Sequence, residues 1–529
     1  MKIAVVDALA RAMGKRYSTF DVVGAGPRHI AGIAEKHGDV FFFPYEKAVE
    51  KLSIVRKFDV VMVSAMSSDY VAVKRFVSSL RRFSFKGTVV VGGPVSFEYA
   101  KLLQQVDIDY VVIGEGEIPT DKLLEELAKN SLNISHVPSI AYRVNGHVKV
   151  TSSHIHTPKD ILAKIKPWTA VDRAFEHPQV YRFHVEVVRG CSNFCRPILK
   201  VNGLNCIECY RCRSPNLTDR LNCPAGIPPG CGFCSVPYMF GYPRSRPITS
   251  IVREVEELVA HGVRRIVLSG PDFLDYMREE LVESGILTDP CTPPPNLNSI
   301  EELLNELNSI EMIKNGKAVV MIENIKACLV NEEVGRILGR YLRGTTVHIG
   351  LETGCDWYND RVLGKPISVD HVVKACKILS ENGLRPYVYL MHSLPLATSN
   401  VYEETVKSLE KLQVAGVEKI TFYKFINLPA TAFERIKPTR DNQELIFRIK
   451  KLIDNYNAST KKKLIGKHIE VYFLESGGKL YGYPVKHGPV VFVKTKAEKA
   501  GLSGCRGLVK VVDVKPRYII GVLYEILEC

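Results

Sequence analysis

At 529 residues, with 46% hydrophobic and 24% charged content, the chain has an ordinary globular composition and room for about three domains, each burying its own core. It opens on a strand-like Met1-Lys2-Ile3-Ala4-Val5-Val6-Asp7 without a signal-peptide pattern, and no apolar run is long enough to span a bilayer, so a cytoplasmic protein with no membrane partner is expected. The net charge of +14 permits a nucleic-acid or an acidic protein partner and selects neither.

The first 155 residues alternate short apolar runs with helical patterns. Val60-Val61-Met62-Val63-Ser64 reads as a buried strand, followed by a helix from Tyr70 to Arg82. Thr88-Val89-Val90-Val91-Gly92-Gly93-Pro94 and Tyr110-Val111-Val112-Ile113-Gly114-Glu115-Gly116-Glu117 repeat the theme. Such alternation predicts a doubly wound parallel sheet, whose ligands bind at the carboxyl ends of the strands. Ser64, Gly92, Gly93, Gly114, Glu115, Gly116 and Glu117 all fall at those ends, where glycine lets a bulky ligand approach the backbone. Asp21-Val22-Val23-Gly24-Ala25-Gly26-Pro27-Arg28 is either a further ligand contact or a loop entering a helix. The spacing of these segments resembles cobalamin-binding domains. The Asp-x-His-x-x-Gly motif that supplies a cobalt-ligating histidine in some of them is absent, so the resemblance implies a base-off form.

Cysteine placement dominates the middle of the chain. There are fourteen; none precedes Cys191, eight fall between Cys191 and Cys234, and six are scattered. Dense clustering in a large chain points to metal or cluster ligation rather than to a disulfide framework. Gly190-Cys191-Ser192-Asn193-Phe194-Cys195 and Cys231-Gly232-Phe233-Cys234 read as one interrupted Cys-x3-Cys-x2-Cys motif, followed by Tyr242-Pro243-Arg244-Ser245-Arg246-Pro247. Three thiolates suit a [4Fe-4S] cluster with one iron lacking a protein ligand. The preferred set is Cys191, Cys231 and Cys234, with Cys195 the rival for the second place. Inside the insert, Cys206, Cys209, Cys212 and Cys223-Pro224 read as an auxiliary site for a further Fe-S cluster, an iron or a zinc.

From about 165 to 435 strands and helices alternate again, among them Arg265–Gly270, Val347–Gly354, Arg385–His392 and Lys419–Phe425. That pattern predicts a partial or full parallel (β/α) barrel with its chemistry at the strand C-terminal ends. The last segment, 464–529, changes to short alternating strands with glycine turns, which predicts a small antiparallel barrel. Lys461-Lys462-Lys463 reads as a solvated linker before it.

On these motifs the chain resembles the radical S-adenosylmethionine (SAM) enzymes. The α/β fold class is thus a doubly wound cobalamin-binding-like domain (1–155), a radical SAM core (165–435) with a Cys-rich insert (196–230), and a C-terminal barrel similar to a TRAM domain (464–529). The resemblance implies that Gly270, Asp272 and Glu352, with Arg244 and Arg246, contact SAM. It leaves any other catalytic residue unknown. It further implies reductive SAM cleavage to a 5′-deoxyadenosyl radical, a methyl group supplied through cobalamin, and an electron donor such as ferredoxin or flavodoxin. The expected activity is therefore that of a radical SAM methyltransferase (EC 2.1.1 type) acting on carbon in a macromolecule, a protein side chain before tRNA. Insert and domain order resemble the glutamine C-methyltransferases of archaeal methyl-coenzyme M reductase. The alternatives are a tRNA methylthiotransferase, whose extra N-terminal cluster cysteines are missing here, and a non-catalytic protein that binds metal and nucleic acid.

Overall fold

A computed structural model describes residues 1–14, 21–129, 133–201, 203–494 and 501–529. The first domain holds a seven-stranded sheet. Its order is Asp39–Pro44, Lys2–Asp7, Val60–Ser64, Thr88–Gly92, Tyr110–Val112, then the hairpin Ile140–Val144 and His147–Val150. The first five strands are parallel and the hairpin is antiparallel. Side chains alternate across the sheet, so each apolar run feeds two cores. Ala4, Val6, Val61, Val63, Val89 and Val91 pack with the helix Tyr70–Arg82 through Val73, Phe76 and Val77. Ile3, Val5, Val60, Met62, Val90 and Val112 join the core that continues into the second domain.

The second domain is a half-barrel of six parallel strands. Arg182–Glu186, Arg265–Ser269 and Val319–Ile322 form one sheet, and Thr346–Glu352, Arg385–His392 and Lys419–Lys424 another. A bridge between Asn324 and His348 joins them. The first domain also lends Val22–Val23, which pairs parallel with Arg182–Phe183, so the domain reading that began the core at 165 missed a strand arriving from upstream. Burial alone would raise the Asp21 carboxyl beside that strand, but Arg182 and Arg265 outweigh it and hold it at about 2. Among the described residues no helix is long and apolar enough to cross a membrane.

The C-terminal strands His468–Ser476, Lys479–Pro484, Val491–Lys494, Arg506–Val514 and Ile519–Glu528 close into a five-stranded barrel. It docks on the N-terminal ends of the core strands, away from the chemistry that a parallel barrel places at the C-terminal ends. Arg265, the first residue of its strand, donates to Pro484 O (2.8 Å) and Val485 O (3.3 Å). Arg385, also first in its strand, donates to His487 O (2.8 Å), and Thr346 Oγ1 lies 2.6 Å from His487 Nδ1. A barrel in that position does not cover the mouth of the core. Lys461 and Lys462 are not linker either. They end the helix Gln443–Lys462, and Lys461 Nζ donates to the carbonyls of Lys515 (2.7 Å) and Pro516 (2.5 Å).

Of the six scattered cysteines, four form the disulfides Cys291–Cys328 and Cys505–Cys529, pairings whose separations of 37 and 24 residues carry no sequence signal. By loop-closure entropy the second should be worth about 3 kcal/mol. Cys505→Ser is expected to lower the denaturant midpoint of the C-terminal barrel to that extent, read by its tyrosine signal. An unchanged midpoint would mean that the barrel gains nothing from the link.

Candidate active site

The C-terminal ends of the two parallel sheets face one cavity of about 510 Å³, within the range of ligand pockets. Ser64, Gly92, Gly93, Gly114, Glu115, Gly116 and Glu117 line it from the first domain, and Gly190, Ser269, Gly270 and Pro271 from the core. Its walls are largely apolar, with Val5, Leu9, Met62, Val90, Val112 and Phe240 among them. The glycines have different reasons. A side chain on Gly93 (φ +86°) would press its Cβ to 2.7 Å from Ala65 O, so the turn itself demands glycine there. At Gly26, which also lines the cavity, an added Cβ would meet no protein atom within 4 Å, so its side is open to a ligand. Within the Asp21–Arg28 segment, Gly24 to Pro27 reach the cavity while Arg28 is buried against Glu254 (2.6 Å). The one histidine lining the cavity among the described residues is His184, from the core rather than from the first domain.

Beside this cavity the structure brings Cys191, Cys231 and Cys234 together as electrostatic neighbours. The tight Cys231–Cys234 turn is closed by Cys234 N donating to Cys231 O (2.8 Å), and Gly232 fits because the Phe433 ring occupies the space of a Cβ. Burial raises all three thiols, Cys231 to about 12 and Cys234 to about 11. Thiols so placed become thiolates only with help from positive charge. Lys326 supplies it beside Cys191, Lys365 beside Cys231 and Cys234. Asn193 adds hydrogen bonds, with Nδ2 donating to Cys231 Sγ (3.2 Å) and its backbone N to Cys191 Sγ (3.5 Å). Cys195 turns the other way. Its neighbours are Cys212 and Arg213 of the insert, so it does not compete with Cys231.

The SAM-contact residues divide. Gly270 lies on the cavity wall, where a Cβ would strike Val188 Cγ1 at 2.5 Å. Glu352 ends its strand in the left-handed region (φ +70°), a strained conformation for this residue, and pairs with Lys365 Nζ at 2.6 Å. A Cβ on Gly350 would come within 2.5 Å of Glu352 Oε1 and 2.7 Å of Lys365 Nζ, so a side chain there would displace this ion pair.

Asp272, Arg244 and Arg246 do not reach the cavity. Asp272 is fully buried and accepts from Leu274 N, Lys326 N and Lys326 Nζ at 2.9–3.1 Å. Arg244 spends its guanidinium on Glu115 (2.5 Å) and on the carbonyls of Thr157 and Phe240. Arg246 is held by Glu254 (2.6 Å) and Glu186 O (2.9 Å). The Arg-Ser-Arg run is thus a structural clamp. Glu115 and Glu117 edge the cavity, and their charges are paired with Arg244 and Arg189. Asn193, Lys326, Lys365 and Arg189 were missed because single polar residues carry no periodic signal.

The B12 binding domain family matches residues 16–124, and the radical SAM superfamily matches residues 222–412. The second match begins inside the insert and leaves Cys191 outside it. Over nearly its full length the chain is 37% identical to MK0932 of Methanopyrus kandleri, covering 99% of this chain and 97% of that one. It is 36% identical to MJ1620 of Methanocaldococcus jannaschii, covering all of both. The chain belongs to one family with these two proteins. It is a radical SAM protein with a B12-binding domain.

Among solved structures, the radical SAM methyltransferase TsrM of Kitasatospora setae has the same fold at 12% identity, with a TM-score of 0.59 over 82% of this chain and 77% of that one. The cobalamin-dependent radical SAM enzyme OxsB aligns over 87% of this chain and 56% of its own, with a TM-score of 0.51. The cofactors of a radical SAM protein with this domain are a [4Fe-4S] cluster, SAM and cobalamin. The residues present fit them: three thiols with two lysines for the cluster, and a largely apolar cavity, walled by Gly270 and open beside Gly26, for SAM and cobalamin.

Proposed function

We propose that this radical SAM protein is a cobalamin-dependent methyltransferase that acts on an unactivated carbon of a macromolecule, with a protein side chain, such as that of a glutamine, as the favoured target. The observation that carries this reading is the single cavity shared by the strand ends of the two domains, with Cys191, Cys231 and Cys234 beside it. When bound, the cofactors supply hydrogen abstraction from carbon and a transferable methyl group. The chain's own residues position and exclude. Val5, Met62 and Val90 keep water from one wall, Gly26 leaves the backbone approachable, and the Lys365–Glu352 pair fixes a carboxylate beside the thiols. A low-potential one-electron donor of the ferredoxin or flavodoxin class is the partner that this chemistry requires.

A second reading is sulfur insertion into tRNA. It is favoured by 23% identity to a tRNA-2-methylthio-N(6)-dimethylallyladenosine synthase of Wolbachia pipientis over about half of this chain. One experiment separates the two. The anaerobically reconstituted protein is assayed for bound cobalamin and incubated with methyl-deuterated SAM, a reductant, and either cell-extract protein or tRNA. Stoichiometric cobalamin and a deuterated methyl group on a peptide carbon are expected. Methylthio label in tRNA without bound cobalamin would replace the proposal with the second reading.

A further inference from the structure

The insert between Cys195 and Cys231 has no part in the cavity described above, yet it holds four more thiols. Cys206, Cys209, Cys212 and Cys223 line one small cavity of about 20 Å³, together with Arg196. The loop that carries the first three is conformationally costly. Glu208 (φ 53°) and Tyr210 (φ 56°) both lie in the left-handed region, and neither is glycine. Such strain persists where surroundings impose it, commonly at functional sites. In this loop it turns Glu208 N toward Cys206 Sγ, to which it donates at 3.3 Å.

Arg196 is the second observation. Its side chain is 3% exposed and donates only to carbonyls, those of Ile227 (2.8 Å), Phe194 (3.1 Å) and Arg220 (2.7 Å). Among the described residues no carboxylate pairs with it; the titratable side chains around it are the thiols of Cys223, Cys212, Cys195 and Cys209. A buried guanidinium without a counter-charge is expensive. Four thiolates on a metal centre carry the negative charge that would balance it. Among the described residues no three His, Cys, Asp or Glu side chains are gathered closely enough to hold a single metal ion, and this is as true of Cys191, Cys231 and Cys234 as of the insert. The run Cys206-x2-Cys209-x2-Cys212 with a later Cys223-Pro224 resembles a stretched ferredoxin motif, which favours a polynuclear centre.

We propose that the insert is a second iron–sulfur site, with Cys206, Cys209, Cys212 and Cys223 as its ligands. Cys195 stands behind Cys212 without lining the cavity and is not a ligand. Asn193 ties the SAM-cluster thiols to Cys195, the neighbour of Cys212: its Oδ1 accepts from Cys195 N (3.1 Å), while its Nδ2 donates to Cys231 Sγ (3.2 Å). Cys209 is exposed, so the site opens to the surface on its other side.

The test uses the full chain, reconstituted anaerobically with iron and sulfide, and reads iron, acid-labile sulfide, zinc and the electron paramagnetic resonance of the reduced protein. Wild type is expected to hold two clusters, and added SAM should change the spectrum of one. C206S/C212S should lose about half of the iron and sulfide and keep the SAM-sensitive signal. C191S/C231S/C234S should keep the other half and lose the SAM response. C195S should keep both. Cobalamin uptake, read in the visible spectrum, reports whether each variant is folded. If the insert variant misfolds, the wild-type spectrum still decides, because it either contains a SAM-insensitive cluster or does not. Iron for one cluster only, or one zinc per chain lost in C206S/C212S, would overturn the proposal.

Discussion

Cys234→Ala is expected to reduce SAM cleavage by the reduced protein to background. The thiol is one of three that share a single electrostatic neighbourhood, and the turn that carries it is fixed from two sides: Cys234 N donates to Cys231 O at 2.8 Å, and Gly232 N donates to Leu363 O at 2.7 Å. Among the described residues no other thiol is placed to take over. Cys195, the nearest in sequence to Cys191, is oriented toward Cys212 and Arg213. A cluster with two protein ligands would be lost or misoriented, so iron content should fall together with cleavage. Cys195→Ser is the matched control and should cleave SAM at the wild-type rate. Chromatographic measurement of 5′-deoxyadenosine from both variants decides. Full cleavage by C234A, or its loss in C195S, would overturn the ligand assignment.

The elements that were legible in the sequence are those whose signal is local. The strand Arg385–His392 and the helix Tyr70–Arg82 fall where alternation and apolar periodicity place them, because burial on one or both faces writes itself into consecutive residues. The thiol pairs were legible because glycine and aromatic neighbours accompany them at short spacing. Partners separated by long stretches of chain were not. Arg244 looks like a ligand-binding arginine until Glu115, 129 residues away, is seen to neutralise it. Asp272 sits at a strand end that faces chemistry, yet Lys326, 54 residues on, takes its carboxylate inward. A short strand such as Val22–Val23, or the docking of a barrel by the carbonyls of Pro484 and Val485, leaves no pattern to read.

Arg189→Ala is expected to destabilise the protein by at least about 3 kcal/mol and to loosen cobalamin binding. Arg189 immediately precedes Gly190-Cys191 and is 7% exposed. It donates to Glu115 (2.8 Å) and Glu117 (2.5 Å) of the first domain and to Glu186 (2.9 Å) of the core, so one guanidinium sets the distance between the glycine-rich strand ends and the thiol motif. The intact network need not be worth much, because burying charge costs nearly what the pairing returns. Its rupture is different, since three carboxylates would be left together with only Arg244 and His29 to balance them. The pH dependence gives the sign. Burial alone would raise Glu117 and Glu186, but Arg189, with His29, outweighs it and holds both below the usual carboxylate value of 4.5. In the wild type this stabilisation is therefore present above about 4.5 and is lost as the pH falls through the folded-state values. In the variant the same carboxylates gain by protonation. The destabilisation should then be largest near neutral pH and shrink as the pH is lowered toward about 5. Urea unfolding at the two pH values, with bound cobalamin followed in parallel, measures it. A deficit that stays constant with pH would mean that Arg189 acts by filling space rather than by charge.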